Sequence, residues 1–137
     1  MDKNCIFCKI VKGEIPSHKI YEDEVVLAFL DIDPVNLGHS LVVPKEHFVN
    51  IYEIPEETLA HMMKAVKKLS YAIKSGVEAD GINVTMNNDK AAGQVVFHSH
   101  IHIIARLEND GFSLWRGKTP YQKGEKEEVA KKITAAL

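Results

Sequence analysis

From Gly93 to Ile104 the chain reads Gly-Gln-Val-Val-Phe-His-Ser-His-Ile-His-Ile-Ile, with histidines at positions 98, 100 and 102. Alternation with a period of two predicts a strand, here over residues 95–106. On such a strand His98, His100 and His102 share one face, while Phe97, Ile101 and Ile103 point to the core. Neighbouring imidazoles then stand about 6.6 Å apart along the strand and the outer two about 13 Å apart. Two of them could share an ion, but three on an unbroken strand can hardly meet one. A line of imidazoles suits an extended ligand instead. Neutral imidazole titrates near pH 7 and is a good nucleophile. It can attack phosphorus and form a covalent intermediate, while a second imidazole hydrogen-bonds an oxygen or protonates the leaving group. The blander readings are surface or core histidines and a bare metal site.

The rest of the chain frames this segment. Residues 18–22, 25–30, 40–43 and 82–86 read as further strands, with Asp23-Glu24 as a turn and the Asp31–Gly38 stretch as a loop. A long helix is expected after Pro55, where Glu56 and Glu57 suit the positive end of the helix dipole. Leu59, Met62, Met63, Val66, Leu69 and Ile73 follow its 3.6-residue period, and Gly76 is its stop. Residues 5–12 suit a short helix or turn, and Gly124–Leu137 a charged surface helix with Val129, Ile133 and Leu137 on one side. Strands and one long helix without βαβ alternation predict an α+β fold with an antiparallel sheet. There is no G-x-G-x-x-G after a strand and no Walker A segment, so Rossmann and P-loop modes of nucleotide binding are not supported.

The chain has 137 residues, a length that fits one domain over 1–137. With 17 basic and 19 acidic residues its formal charge is -2, and no tract suits nucleic acid or a membrane surface. A phosphate ligand would have to be held by local backbone N–H groups and histidines. The first residues lack the apolar core of a signal peptide, and no apolar run approaches the roughly 20 residues of a membrane helix. A reducing, cytoplasmic setting is the default expectation, in which Cys5 and Cys8 are thiols or metal ligands. Their C-x-x-C spacing is familiar in zinc sites. With no second cysteine pair, the remaining ligands would have to be histidines, and two free thiols are the alternative.

The histidine segment resembles the H-φ-H-φ-H-φ-φ signature of the histidine triad superfamily, with φ apolar and Ser99 standing at the first φ. Cys5–Ile10, Leu30-Asp31-Ile32, Gly38-His39, Val43–His47 and Asn87–Gln94 follow in the order of the family, and the chain looks most like its Hint branch, in the bacterial form. The resemblance implies the HIT-like fold, a five-stranded antiparallel sheet with one long helix and a C-terminal helix. It also implies a homodimer with sheets joined edge to edge, for which residues 82–86 offer an edge.

Carried over residue by residue, the resemblance makes His100 the nucleophile and sets His102 against the phosphate and ribose. His39 becomes the fourth, supporting histidine. Asp31 would bind the ribose hydroxyls, with Ile32 beside the base. Asn87, Gly93 and Gln94 would hold the phosphate. Val95 stands where the eukaryotic branch usually has Ser, which leaves its backbone N–H as the available donor. Cys5, Cys8, His47 and His98 would hold a structural zinc. His18 and His61 match no site motif and read as structural or surface residues. Residues 108–124, with Trp115 and Arg116, are candidates for shaping specificity.

The implied activity is hydrolysis of a purine nucleoside phosphoramidate (AMP or GMP type) through a nucleotidyl-histidine. The alternatives are a dinucleoside polyphosphate hydrolase, a nucleotidyltransferase, and a nucleotide-binding regulatory scaffold without catalysis.

Overall fold

The computed structural model describes residues 2–113 and 117–137. Trp115 and Arg116, expected to bear on specificity, lie outside the described residues. The elements are α1 (Ile6–Val11), β1 (Lys19–Glu22), β2 (Val26–Leu30), β3 (Ser40–Pro44), α2 (Glu56–Gly76), β4 (Gly81–Thr85), a 3-10 turn at Lys90–Ala92, β5 (Ile101–Arg106) and α3 (Glu125–Thr134). The strands form one sheet in the order β1-β2-β3-β5-β4, with every pair antiparallel. The expected α+β architecture, with one long helix and a C-terminal helix, is what the chain adopts. Among the described residues no helix is long and apolar enough to cross a membrane.

Register assigns the two faces of the sheet. Residues directly opposite in an antiparallel pair share a face, so Val26, Ala28, Val42, Ile101, Ile103 and Ala105 lie together. They form the main core with Met62, Ala65, Val66, Leu69 and Ile73 of α2. These α2 positions are the inward stripe of a 3.6-residue repeat. Met63, counted in the stripe from sequence, is instead exposed, and Ala65 takes a place in the core. The opposite face carries Leu27, Phe29, Leu41 and Val43, which pack under Phe7 and Ile10 of α1. His102 belongs to this second face, opposite both Leu41 and Thr85. α1 therefore covers the β2–β3 half of that face, with the histidines beside it.

The β1–β2 turn is built on Asp23. Its Oδ1 accepts the N–H groups of Val25 and Val26, both at 2.8 Å, and its Oδ2 receives the Tyr21 hydroxyl and meets the His61 ring. Burial opposes the charge, but His61, the two N–H groups and Tyr21 outweigh it and hold the carboxyl well below its ordinary range. His61 thus fixes a turn.

One expected element is shorter than the pattern predicts. β5 begins at Ile101, and residues 95–100 are not strand. The backbone there finds other partners: Ser99 N–H donates to the Phe48 carbonyl at 2.6 Å, the Val96 carbonyl accepts from the Gln94 amide, and the His98 carbonyl accepts from the His100 ring. The alternation consequently fails. His98, Ser99 and His100 are all buried, and Phe97, expected in the core, is half exposed.

Gly38 ends the loop before β3 and sets His39 on the sheet. Its φ is +86°, and a Cβ there would meet Val77 Cγ1 at 3.0 Å and Ile73 Cγ2 at 3.3 Å. Both the left-handed backbone and the close approach require glycine. Gly38→Ala is expected to destabilise the protein by about 1–3 kcal/mol. Urea unfolding checks this, and an unchanged midpoint would refute it.

Candidate active site and metal centre

Four histidines converge where β3, β5 and the preceding loop meet. His39 stands just before β3, and its ring is wrapped by the loop that leads to it. Its Nδ1 accepts the Val35 N–H at 3.1 Å, and the His39 backbone N–H donates to the Asn36 carbonyl at 3.0 Å. That settles the tautomer: neutral His39 carries its proton on Nε2. The Nε2–H then donates to His102 Nδ1 at 2.9 Å, so His102 keeps its own proton on Nε2. Asp31 Oδ2 lies 3.6 Å from His39 Nε2, while Asp31 Oδ1 accepts the Asp33 N–H.

His100 is fixed the other way round. Its Nδ1–H donates to the His98 carbonyl at 2.7 Å, which leaves a lone pair on Nε2. Its ring centroid is 4.9 Å from that of His102. A bare nitrogen lone pair and an N–H donor therefore sit on adjacent imidazoles. Burial lowers the His100 pKa, with the His98 carbonyl and Asp31 opposing, so its ring is neutral near pH 7.

The loop after β4 carries the expected phosphate-binding residues. Gly93 has φ +86° and closes the 3-10 turn, and Asn87 Nδ2 donates to its carbonyl at 3.4 Å. Gln94, expected at the ligand, is buried and fully engaged within the protein. Its Oε1 accepts the Asp89 N–H, and its Nε2 donates to the carbonyls of Val49 and Val96. Its side chain clamps the loop. The Val95 side chain is exposed, and its N–H has no hydrogen bond among the described residues. Ile32, beside Asp31, is fully exposed on the loop rim.

The second cluster is Cys5, Cys8, His47 and His98. His98 spends its Nε2–H on the Pro44 carbonyl at 2.9 Å, so its Nδ1 presents a lone pair. That Nδ1 lies 3.2 Å from His47 Nδ1, 3.4 Å from Cys5 Sγ and 3.6 Å from Cys8 Sγ. Cys8 Sγ is 3.4 Å from His47 Nδ1. Tetrahedral zinc, with bonds of about 2.0–2.1 Å to nitrogen and about 2.3 Å to sulfur, gives ligand edges of about 3.3 Å for N···N and about 3.5 Å for N···S. The donor set and its edges fit that ion. Burial raises the Cys8 thiol pKa, so a metal would have to displace its proton.

Sequence reasoning missed several supporting residues. Phe7, between the two cysteines, packs edge-on against His98, His100 and Phe29; its place inside the C-x-x-C was the available signal. Asp110 accepts from Arg106, from the N–H groups of Leu107 and Phe112, and from Asn36. Arg106, the backbone donors and Asn36 hold its carboxyl well below the usual range. Asn36 also donates to the Ala105 carbonyl, so this network anchors the loop around His39. Nothing in the local sequence announces it.

The buried histidines make stability depend on pH. Burial, with the nearby charges of His100 and His39, pushes His102 down to about 4, with Asp31 opposing. Burial likewise lowers His39, again against Asp31. An unfolded chain takes up these protons near pH 6.5, while folded His102 resists until about pH 4 and folded His39 also protonates below its unfolded value. Between those values the unfolded state binds more protons, so stability falls as pH drops from about 6.5 to about 4. Unfolding midpoints across that window check it, and the slope should be shallower in His102→Asn. Equal slopes would contradict the assignment.

Residues 12–109 match the model of the HIT domain. "Protein hit" of Bacillus subtilis is 52% identical over 116 residues, covering 83% of this chain and 80% of that protein. "Adenosine 5'-monophosphoramidase HNT1" of Candida albicans is 43% identical over 109 residues, covering 77% and 72%. Among solved structures, a HIT family member from Bacillus subtilis superposes with TM-score 0.90 at 46% identity, covering 98% of each chain. A Zn-bound histidine triad family protein from Mycobacterium smegmatis gives 0.77 at 38% identity, again covering 98% of each. The chain belongs to the histidine triad family.

Proposed function

We propose that the protein hydrolyses nucleoside 5'-phosphoramidates of the purine type through a covalent nucleotidyl-His100 intermediate. The observation that carries this reading is the pairing of the His100 Nε2 lone pair with the adjacent His102 Nε2–H. In the first step His100 Nε2 attacks the α-phosphorus as the P–N bond to the leaving amine breaks. The leaving amine takes up one proton from solvent as it departs, because His102 and His39 are both neutral and keep their Nε2–H groups. The His102 Nε2–H steadies a non-bridging oxygen as charge gathers on it. The His98 carbonyl stabilises the positive ring of nucleotidyl-His100 through Nδ1–H. In the second step water attacks phosphorus, the P–N bond to His100 breaks with the electron pair returning to Nε2, the water's proton goes back to solvent, and the nucleoside monophosphate leaves.

Asp31 would accept hydrogen bonds from the ribose hydroxyls, with Ile32 against the base. Asn87, Gly93 and the Val95 N–H would line the phosphate, and Gln94 would hold their loop. Cys5, Cys8, His47 and His98 would hold a structural zinc, which supplies a cross-link and takes no part in the chemistry. The phosphoramidase name of the Candida relative supports an amine leaving group.

A steady-state assay with an adenosine phosphoramidate beside a diadenosine polyphosphate tests the reading. Turnover of the first is expected to dominate. Turnover of only the second would move the protein to polyphosphate hydrolysis. Turnover of neither, with monophosphate still bound, would favour a transferase or a binding scaffold.

We further propose a homodimer joined along β4, an edge strand whose Val84 is exposed, as are Met63 and Tyr71 of α2. Elution at twice the chain's mass is expected in gel filtration, and elution at the mass of one chain would refute it.

A further inference from the structure

We infer that the Cys5–Cys8–His47–His98 cage and the nucleophile form one mechanical unit, in which Phe7 and the His98 main chain clamp the His100 ring, so that occupying the cage orders the nucleophile. The inference rests on the readings that the cage takes zinc and that His100 is the nucleophile.

The segment carrying His100 has little structure of its own. It precedes β5, so no ladder bonds hold residues 98–100. Three restraints take their place. The His100 Nδ1–H donates to the carbonyl of His98, a cage residue. The Ser99 N–H donates to the carbonyl of Phe48, next in chain to the cage residue His47. The His100 ring meets the Phe7 ring edge-on, with centroids 5.2 Å apart at 77°, and Phe7 adjoins the cage residue Cys8. Apart from its contact with His102, each restraint leads within one residue to a cage ligand.

α1 itself cannot keep Phe7 in place unaided. It has six residues, far too few for a helix stable by itself. It is pinned by Phe7 and Ile10 in the apolar cluster and, at its N-terminus, by Cys5, whose Sγ accepts the Cys8 N–H at 3.5 Å. Opening the cage frees that end. The Phe7 ring, which also packs edge-on against His98 at 5.9 Å, can then shift, and the His98 ring is left with only its Nε2–H bond to the Pro44 carbonyl to hold it. Both contacts that orient His100 loosen together. Phe7 is thus a positioning residue that acts through the nucleophile's ring.

The test uses whole protein labelled with 15N at histidine, with zinc content measured on every sample. The His100 Nδ1–H resonance, identified by its absence from His100→Asn, is expected to be sharp in zinc-loaded protein and broadened or lost after zinc removal. Phe7→Ala with full zinc is expected to show the same broadening. Its kcat should fall by about 10- to 100-fold for a displacement on the order of 1 Å, with KM changed by less. Phe7→Leu, which keeps an apolar contact, should recover part of kcat and serves if the alanine variant does not fold.

An unchanged resonance in both the zinc-free protein and a zinc-loaded Phe7 variant overturns the coupling, as does a rise in KM alone. Wild-type protein that binds no zinc overturns the metal reading and the coupling with it. Loss of the resonance on zinc removal in a protein without turnover upholds the clamp and refutes the nucleophile reading separately.

Discussion

Replacing His100 with alanine is expected to leave monophosphate binding within a few-fold of wild type while phosphoramidate turnover falls by about 10⁴-fold or more, the order seen when a covalent nucleophile is removed. The size follows from what the ring supplies. No other group among the described residues places a free nitrogen lone pair beside the His102 N–H, so the attack has no substitute. Water could still hydrolyse bound substrate with help from His102 and the loop donors, which sets the residual rate. The proposed binding groups, Asp31 and the loop around Gly93, make no hydrogen bond to His100 among the described residues, so affinity should survive. Rapid quench should trap a nucleotidyl-protein adduct in wild type and none in the variant. A variant retaining a tenth of the rate would show that His100 is not the nucleophile, whatever else the histidines do.

The site was legible in the sequence in proportion to how local its signals are. The three alternating histidines, Gly38-His39 and the C-x-x-C all stood at fixed spacings that marked them out, but their division into two clusters came from the family resemblance and not from the spacing. The strand pattern of residues 95–100 misled because alternation reports on faces only while a ladder exists. Here the carbonyl of Phe48, remote in sequence, accepts the Ser99 N–H, and the Gln94 side chain, two residues away, donates to the Val96 carbonyl, in place of a neighbouring strand. The 6.6 Å spacing therefore failed to describe His98, which turns into the cage while His102 remains on the sheet. Gln94 enters as a phosphate-loop residue through the family resemblance, and its local sequence does not show where its amide goes. Its burial against Val49 depends on a segment 45 residues away.

Asp110 shows the same limit from the other side. An aspartate after a strand looks like a turn residue, yet it holds Asn36 and Arg106 and through them the loop that presents His39. α2 was legible almost to its ends because its period is internal to one element. Its one misassigned position, Met63, follows from the tilt of the inward stripe, which takes Ala65 into the core and leaves Met63 outside.

Stripping zinc from the wild-type protein should lower its unfolding midpoint by about 10 °C, and Cys8→Ala should melt at a similarly reduced temperature whether or not zinc is present. A ligand bound only by the folded chain stabilises it by about 4 kcal/mol at a thousandfold excess over its Kd, and for a chain of this size that amounts to roughly 10 °C. The cage ties three distant parts of the chain, α1, the segment after β3 and the segment before β5, and in an unfolded chain they cannot meet around one ion. Cys8 is fully buried and approaches both cage histidines, so its loss cannot be made good by a shifted neighbour. Because burial keeps its thiol protonated, zinc binding releases a proton, and the stabilisation should grow as pH rises. Calorimetry of loaded, stripped and reloaded wild type beside the variant separates the ion from packing: reloading should restore the wild-type midpoint and leave the variant unmoved. If loaded and stripped wild type melt together, the four side chains are a packed polar cluster, and the N-terminal turn is held by Phe7 and Ile10 alone.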